Sequence, residues 1–395
     1  MNLLLSITPN ANSVPNNSNT GSEKRPAVIL LEISALNNDK VIFRNHPVHM
    51  LGLISEINNT FGMIKFKTKD RQPKRTLWLL LLLPALWGNT TTRETPYLHN
   101  VQGAATDTSS SGSFSVISYN IAGLPQLISS AATDRAPSIR EIGARLNDFD
   151  IVHVQEDFNY NRTLYSENKH PFRTISKGKI PFGDGLNTLS RFPVRDLQRI
   201  KWEDCTGADC LTPKGFTFSR VEIARAVFID FYNVHANAYN HPAAAKARRQ
   251  NIAQLADYIR RNSAGNAVIL MGDLNGRYSY NLDNISVLQQ ELGLQDVWVE
   301  SQNEGKLPEP LAVTPAKDIL SIDNDAETID KILYRSSAAI QIETTDYEFE
   351  KSLFSTAEGV PLSDHHPVTA RFSWRVNAQS PAIFAANPNA KRQVR

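Results

Sequence analysis

Val268-Ile-Leu-Met-Gly-Asp-Leu-Asn275 is an apolar run that ends in an aspartate and an asparagine. A short uninterrupted apolar segment is typical of a strand buried on both faces of a sheet. The other strand-like segments that meet polar residues at one end are 114–119 with Asn120, 151–155 with Glu156, 331–334 with Asp330, and 368–372 with Asp364 and His365. Strand ends at one edge of a sheet combine fixed geometry with open loops, so this pattern predicts a site there.

Each of these segments, taken alone, also fits an ordinary turn, because Asp, Asn and Gly favour turns. Taken together, they offer several carboxylates and a carboxamide, which are the oxygen ligands that a hard divalent cation prefers. His365 lies directly after Asp364 and is a candidate base near neutral pH. The combination favours metal-assisted hydrolysis, in which water is the nucleophile.

Strand-like and helix-like segments alternate from 114 to 374, which predicts one α/β-type catalytic domain. Pro242–Asn262 is predicted to be a helix with Ile252, Leu255 and Ile259 on one face. Its arginines Arg248, Arg249, Arg260 and Arg261 are predicted to form a solvated outer face. Residues 89–113 are rich in Thr, Ser and Gly and are predicted to be a linker, and 375–395 a disordered tail.

The segment 63–88 contains six basic side chains, then an apolar run at 77–87, then small and polar residues. This order is typical of a secretory signal, and the run is too short to span a bilayer comfortably. We therefore expect Met63 to be the natural start, residues 1–62 to be a gene-model extension or disordered, and the protein to be secreted. The alternative is that the segment is retained as a membrane anchor.

The 395-residue chain is 41% hydrophobic and 21% charged, which is ordinary for a globular protein. Its formal net charge is +2, but residues 113–374 carry −6 and residues 1–112 carry +4. An acidic domain weakens any interpretation in which a basic surface binds nucleic acid. Two cysteines exclude a four-cysteine zinc site.

The two cysteines, Cys205 and Cys210, are separated by four residues that include a glycine. In a secreted chain this spacing favours a disulfide that closes a small loop. In a cytosolic chain the same residues would be two free thiols.

Seven segments, in this order, resemble the endonuclease/exonuclease/phosphatase superfamily of metal-dependent phosphoesterases. They are Ser118-Tyr-Asn-Ile121, Gln155-Glu156, Asn187-Thr-Leu-Ser-Arg-Phe-Pro193, Val234-His-Ala-Asn237, Gly272-Asp-Leu-Asn275, Ile329-Asp-Lys-Ile332 and Ser363-Asp-His365. The resemblance covers nearly all of 114–374. It implies an α+β fold, a four-layer αββα sandwich with two packed mixed β-sheets flanked by helices.

The resemblance also implies a role for each matching residue. Glu156 is the expected principal ligand of Mg²⁺, or of another divalent cation such as Mn²⁺, with Asn120 and Asp364 in or near the same shell. His365 is the expected general base, held and polarised by Asp330. The alternative base, His366, matches the superfamily pattern less well.

Four further roles follow from the same resemblance. Asp273 is expected to position the attacking water or a second metal. Asn275 and His235 are expected to donate hydrogen bonds to the phosphoryl oxygens, with Asn237 as a secondary candidate on the same surface.

The substrate is suggested by one local segment. Gly207-Ala-Asp…Lys214-Gly-Phe216 is similar to a segment of secreted sphingomyelinase C enzymes, which implies that Lys214 lies near an anionic substrate. We therefore expect a monomeric phosphodiesterase acting on a membrane sphingolipid or phospholipid. A deoxyribonuclease-like endonuclease acting on nucleic acid with the same residues, and a catalytically silent binding module, are the alternatives.

A membrane enzyme also needs apolar contact groups. The apolar residues that precede the Asp-His pair are Tyr347, Phe349, Leu353 and Phe354. They fit either a membrane-facing hairpin or part of the core.

Overall fold

The computed structural model describes residues 105–175, 183–313 and 318–377, together with the backbone of two short strands near the start of the chain. Those strands, β1 (Asn2–Ile7) and β2 (Leu31–Leu36), pair with each other in antiparallel fashion. The rest of 1–62, the signal-like segment 63–88, most of the linker and residues 378–395 lie outside the described residues.

Within the described residues, the main domain is built from twelve strands and five α-helices. Its strands are β3 (Ser111–Asn120), β4 (Ile151–Gln155), β5 (Phe172–Arg173), β6 (Asn187–Ser190), β7 (Val194–Lys201), β8 (Gly215–Ala224), β9 (Val227–His235), β10 (Val268–Asp273), β11 (Gln295–Asp296), β12 (Asp330–Arg335), β13 (Ile340–Phe349) and β14 (Val368–Val376). Its α-helices are α1 (Arg135–Arg145), α2 (Asn161–Glu167), α3 (Pro242–Asn262), α4 (Val287–Leu292) and α5 (Val297–Gln302), and 3-10 turns cover Leu146–Asp148 and Gly207–Leu211.

The strands form two six-stranded sheets. The first sheet has the order β13-β14-β3-β4-β6-β5, and the second has the order β11-β12-β10-β9-β8-β7. Each sheet is mixed, because β3 pairs with β4 and β9 pairs with β10 in parallel while the other pairs are antiparallel. The predicted fold class, two packed mixed sheets flanked by helices, is confirmed.

The alternation of side chains along β3 shows how the layers are made. Phe114 and Val116 belong to the core that includes the strands of the second sheet and α3. Ile117 and Tyr119 point the other way and pack with Ile139 of α1. Since successive strand residues face opposite sides, one strand supplies both the central core and the outer helix–sheet core.

Helix α3 has the bounds that the sequence predicts. It begins at Pro242, and the His241 side chain accepts a hydrogen bond from the Ala244 N–H at 3.2 Å. The expectation for Arg248 was wrong, because this side chain is fully buried and bonded to Asp283 at 2.8 and 2.6 Å. Arg260 and Arg261 are exposed, as predicted.

The apolar segment before the Asp-His pair is part of the core. Tyr347, Phe349 and Phe354 are buried, and Phe354 packs edge-on against Tyr119 with ring centroids 4.9 Å apart. This finding decides against a membrane-facing hairpin at these residues. Among the described residues, no helix has both the length and the apolar composition that crossing a membrane requires.

Strand β3 begins at Ser111, inside the segment predicted as linker. Its first residues pair with the end of β14, where Trp374 lies opposite Gly112. A Cβ atom at Gly112 would lie 3.0 Å from the indole nitrogen of Trp374, so the glycine permits this close packing.

Candidate functional site

The strand register brings three of the predicted residues side by side in the second sheet. Asp273, the last residue of β10, lies opposite Asp330 of β12 and opposite His235 of β9. In the first sheet, Asn120 at the end of β3 lies opposite Gln155, and Glu156 follows directly. All of these positions lie at strand ends on the same rim of the sandwich.

A buried hydrogen-bond network joins the two sheets beneath this rim. The Gln155 amide donates to Asn233 Oδ1 at 2.8 Å, and the Asn233 amide donates to the carbonyls of Val154 and Asn187 at 3.1 and 3.0 Å. Buried, paired amides hold a specific register because breaking one of them leaves an unsatisfied polar group. The two halves of the site therefore keep a fixed relative position.

His365 is held by Asp330 across the two sheets. The distance from His365 Nδ1 to Asp330 Oδ2 is 2.8 Å, and both side chains are buried. This contact fixes the imidazole so that Nε2 points toward Asn120 Nδ2, at 3.4 Å, and Asp273 Oδ2, at 3.8 Å. The arrangement matches the predicted pairing of a base with an orienting carboxylate.

Asn120 lies at the centre of the cluster and acts as a donor. Its Nδ2 atom donates to Glu156 Oε1 at 3.2 Å and to Asp273 Oδ2 at 3.1 Å. Its Oδ1 atom accepts a hydrogen bond from the Ala122 N–H at 3.1 Å. Asn120 thus links the carboxylates of the two sheets, and its predicted role as a metal ligand stays a prediction.

His235 is fully buried below the two carboxylates. Its Nε2 atom lies 3.5 Å from Asp273 Oδ2 and 4.0 Å from Glu156 Oε1. Burial, with smaller contributions from the charges of Lys214 and His365, lowers the pKa of His235 well below its usual value. A neutral imidazole can donate a hydrogen bond here without adding positive charge.

The backbone at Glu156 is held in an unusual conformation. Glu156 has φ of 58°, in the left-handed region that residues with a Cβ atom rarely occupy. A Cβ atom at Gly123 would lie 2.3 Å from the Glu156 carbonyl oxygen, so only glycine fits there. Strained backbone of this kind concentrates at functional positions.

The carboxylates and His365 strongly influence one another's protonation. Burial raises the pKa of Glu156, and the positive charge of Lys214 opposes this shift. Burial and the neighbouring charge of Asp330 raise the pKa of Asp273 to about 7. Burial lowers the pKa of His365, but the charges of Asp330 and Asp273 outweigh it and raise the value to about 10.

The cluster has the composition of a divalent-metal site. Asp273, Asp330 and His365 each offer a ligand atom within 4.8 Å of the others, and all three are buried. Asp330 Oδ1 is buried and has no hydrogen-bond partner among the described residues. Carboxylate oxygens from several chain segments, with one nitrogen, suit a cation such as Mg²⁺ or Mn²⁺.

Two predicted residues lie at the edge of this cluster. Asp364 makes a long hydrogen bond with Ser363, 3.4 Å, and its charge acts on Glu156 and on Arg135. Asn275 has φ of 50°, and its side chain donates to the Ala236 carbonyl at 3.2 Å. Both lie on the rim, but the ligand role of Asp364 stays a prediction.

Asn237 and His366 are engaged elsewhere. Asn237 Oδ1 accepts from the Thr206 N–H at 2.8 Å, and its Nδ2 donates to the Ala238 carbonyl at 2.8 Å, so it ties two loops together. His366 packs edge-on against Phe349, with ring centroids 5.4 Å apart. The structure therefore places His365, rather than His366, in the cluster.

Lys214 and the disulfide lie in one loop beside the site. Cys205 and Cys210 form a disulfide, with Cα atoms 5.3 Å apart, as the secreted interpretation of the sequence favours. Lys214 Nζ lies 2.7 Å from Asp209 Oδ1, and Asp209 Oδ2 accepts from the Ala238 N–H at 2.5 Å. The loop thus holds Lys214 where its charge acts on Glu156 and Asp273.

Sequence reasoning gave no role to two residues that position the site. Asp209 pairs with Lys214, and the only signal was its place in the same short segment. Arg135 is fully buried and donates to the Leu362 carbonyl at 3.0 and 2.5 Å and to the Ile121 carbonyl at 3.4 Å. It therefore joins the loop after Asn120 to the loop before Asp364, and nothing in its sequence context indicated this.

Comparisons with known proteins show which sequences this chain is similar to. The family model for Endonuclease/Exonuclease/phosphatase family 2 matches residues 126–309, which include Glu156, His235 and Asp273. The sphingomyelinase of Mycobacterium tuberculosis is 40% identical over 281 residues, which is 69% of this chain and 55% of that protein. The chain spans about half the length of this curated relative.

One of the similar solved structures supports the fold. The structure of D. rerio TDP2 complexed with a single-strand DNA product has a TM-score of 0.50 and 16% identity, and the match covers 66% of this chain and 99% of that chain. Sphingomyelinase C from Streptomyces griseocarneus has a TM-score of 0.45 and 18% identity, with coverage of 66% and 99%. The resemblance inferred from the seven sequence segments is confirmed.

Proposed function

The chain resembles the endonuclease/exonuclease/phosphatase superfamily, with sphingomyelinases among its relatives, and we propose that it is a metal-dependent phosphodiesterase of the sphingomyelinase type. The reaction would be hydrolysis of a phosphodiester by water, releasing phosphocholine from a sphingolipid. The observation that carries the proposal is the His365–Asp330 contact of 2.8 Å beside the Glu156, Asn120 and Asp273 cluster.

His365 is the proposed general base. Its Nε2 atom would take the proton of the attacking water, while the Asp330 carboxylate stabilises the imidazolium that results. His235 and Asn275 lie on the same rim and would donate hydrogen bonds to phosphoryl oxygens as negative charge develops. Lys214 would add positive charge near the anionic substrate.

Glu156 and Asp273, with Asp364 on the rim, are the proposed holders of Mg²⁺ or a similar cation. When bound, such a cation neutralises the phosphoryl oxygens and stabilises the departing alkoxide. Its charge would also offset that of the carboxylates, which raise the pKa of His365 to about 10. Because a base must be unprotonated, this offset links metal binding to the activity of His365.

A sphingolipid fits the charges of the chain better than nucleic acid does. Residues 113–374 carry a net charge of −6, whereas proteins that bind DNA through its backbone need positive surface. The 40% identity to a protein named sphingomyelinase supports the same substrate class. Nucleic acid remains the alternative substrate and is included in the test.

We further propose that the protein is secreted and acts as a monomer. Secretion through the signal-like segment 63–88 is supported by its order of basic, apolar and small residues, and by the Cys205–Cys210 disulfide, which persists in oxidising compartments. A monomer acting on a membrane surface is the proposed working form. Membrane anchoring through the same segment is the alternative.

The test compares substrates and cations with one purified protein. We expect release of phosphocholine from sphingomyelin liposomes with Mg²⁺, no release with EDTA, and no cleavage of plasmid DNA. Cleavage of DNA alone would replace the lipid proposal with the endonuclease alternative. Turnover of neither substrate with any divalent cation would favour a binding module.

The neighbouring residue His366 provides a matched control for the proposed base His365. His365→Asn is expected to abolish sphingomyelin turnover, whereas His366→Asn is expected to retain it, because His366 packs on Phe349 outside the cluster. Thermal unfolding of both variants checks that each is folded. Equal loss of turnover in two folded variants would contradict the assignment of His365.

A further inference from the structure

We propose that three loops on the site rim form a surface that docks on a neutral lipid bilayer. The loops are 121–133 after β3, 205–213 before β8 and 236–241 after β9, and together they are called the neutral rim. This inference rests on the proposed function, because a lipid-cleaving enzyme needs a membrane contact and the segment around Phe349 and Phe354 is buried.

The neutral rim carries exposed apolar side chains. Leu127 is 69% exposed, Ile128 58%, Leu211 54% and Tyr239 53%. These are four of the eight large hydrophobic side chains that are exposed among the described residues. Apolar side chains grouped on one surface are typical of a site of interaction, whereas single ones scattered over a surface are ordinary.

Strand register and hydrogen bonds place the three loops beside the candidate site. Loop 121–133 follows Asn120 directly, and the Ser129 hydroxyl donates to the Ala122 carbonyl at 3.3 Å. Loop 236–241 follows His235, and the Ala238 N–H donates to Asp209 of loop 205–213 at 2.5 Å. Loops 121–133 and 236–241 therefore leave the strand ends that carry Asn120 and His235, and loop 205–213 is bonded to loop 236–241.

The charge of these loops distinguishes between possible partners. Loops 121–133 and 236–241 contain no Asp, Glu, Lys or Arg, and the only such residue in loop 205–213 is Asp209, which is buried against Lys214. A neutral, apolar surface complements the interface of a zwitterionic bilayer, where side chains can enter the boundary between headgroups and acyl chains. It lacks the positive charge that attracts the phosphates of DNA or an anionic membrane.

Leu307 is an exposed leucine outside the neutral rim, and it differs from the rim leucines in its neighbours. Leu307 is exposed, but its neighbours include the exposed Lys306 and Glu309. Charged neighbours would have to lose water for this leucine to enter a bilayer, so it is a matched control for leucines of the neutral rim.

The experiment measures binding to phosphatidylcholine vesicles without sphingolipid, in EDTA, by co-sedimentation of the full chain. The Leu127→Ser/Ile128→Ser double variant is expected to lower the partition coefficient at least tenfold. Leu211→Ser and Tyr239→Ser are each expected to lower it severalfold, and Leu307→Ser to leave it unchanged. Because every variant keeps the apolar segment at 77–87, differences between variants report on the loops alone.

The outcomes separate this inference from the proposed function. If wild type and all variants bind vesicles equally, the neutral rim does not dock on the bilayer, even if sphingomyelin is hydrolysed. Loss of binding in the rim variants supports it, even if no lipid is hydrolysed, because turnover is measured separately on sphingomyelin dispersed in detergent. If the same substitutions instead convert a dimer to a monomer in sedimentation velocity, the surface joins two copies and the lipid proposal is wrong.

Discussion

Asp330 and Asp283 are two carboxylates with buried side chains in the same domain, and their partners differ. Asp283 receives two hydrogen bonds from the Arg248 guanidinium, at 2.8 and 2.6 Å, and one from the Arg277 N–H at 2.9 Å. Asp330 is paired with His365 at 2.8 Å, and its Oδ1 has no partner among the described residues. An arginine stays charged at all relevant pH values, whereas a histidine exchanges its proton.

The difference shows how similar charges serve stability in one region and chemistry in the other. Around Asp283, a fixed positive charge neutralises the carboxylate and holds the loops at Tyr239 and Arg277, since Arg248 also donates to the Tyr239 carbonyl at 2.7 Å. Around Asp330, several carboxylates share one titratable base. That region keeps unsatisfied negative charge, which a cation can complement.

The comparison predicts its largest effect on activity for His365→Asn. This variant removes the proposed base, so kcat is expected to fall by about 10²–10⁴-fold, the usual contribution of general base catalysis. The free energy of unfolding is expected to change little, because Asn can still donate to Asp330. Measuring kcat with urea unfolding checks both, and a kcat within threefold of wild type would contradict the base role.

Arg248→Met should show the opposite pattern. It leaves the Asp283 carboxylate buried without its counter-charge, and breaking such a pair typically costs about 3–5 kcal/mol. We expect the urea midpoint to fall strongly, while the folded fraction keeps its dependence on divalent cations. If instead stability is unchanged and activity is lost, the division of roles between the two regions is wrong.

The Asp330→Asn variant tests the comparison through the pH dependence of kcat. The Asp330 carboxylate raises the pKa of His365, so its removal lowers that pKa and makes the imidazole neutral at lower pH. The acidic limb of the kcat profile is therefore expected to move to lower pH, with a lower maximum because the imidazole loses its orienting charge. A shift of the limb to higher pH would contradict the assignment.

Removal of the disulfide should have the smallest effect of the four. The Cys205→Ser/Cys210→Ser variant opens a loop of five-residue separation, for which chain entropy predicts a loss of about 2 kcal/mol. Asp209, the ion-pair partner of Lys214, lies within this loop, so KM is expected to rise more than kcat falls. Thermal unfolding measures the loss of stability, and steady-state kinetics measure KM and kcat. If stability and KM are both unchanged, this loop has no role in the site.

Much of this arrangement could be predicted from the sequence because strand ends and helix periods leave clear patterns. The strand 151–155 and the helix Pro242–Asn262 have the predicted bounds, and the strand-end residues Asn120, Asp273 and His365 converge. The convergence of these three residues could be predicted because polar residues at the ends of buried strands collect at one rim of the sheets.

The misplacement of Arg248 has a physical reason. Ala244, Arg248 and Ile252 are spaced by four, so they share one face of the helix, and that face is buried. A charged residue type suggested solvent, but its partner Asp283 is 35 positions away in sequence. Pairings of this kind, like the amide orientation of Asn120, depend on tertiary contacts that periodicity does not encode.

Strand β10 pairs residue for residue with β9 and β12, which places Asp273 beside His235 and Asp330. Insertion of a single residue within β10 would turn Asp273 to the opposite face of the sheet, since side chains alternate. The loops beyond the strand ends are free of this restriction. Evolution of a new substrate preference on this scaffold should therefore proceed by exchange of loops, while changes in strand length are eliminated.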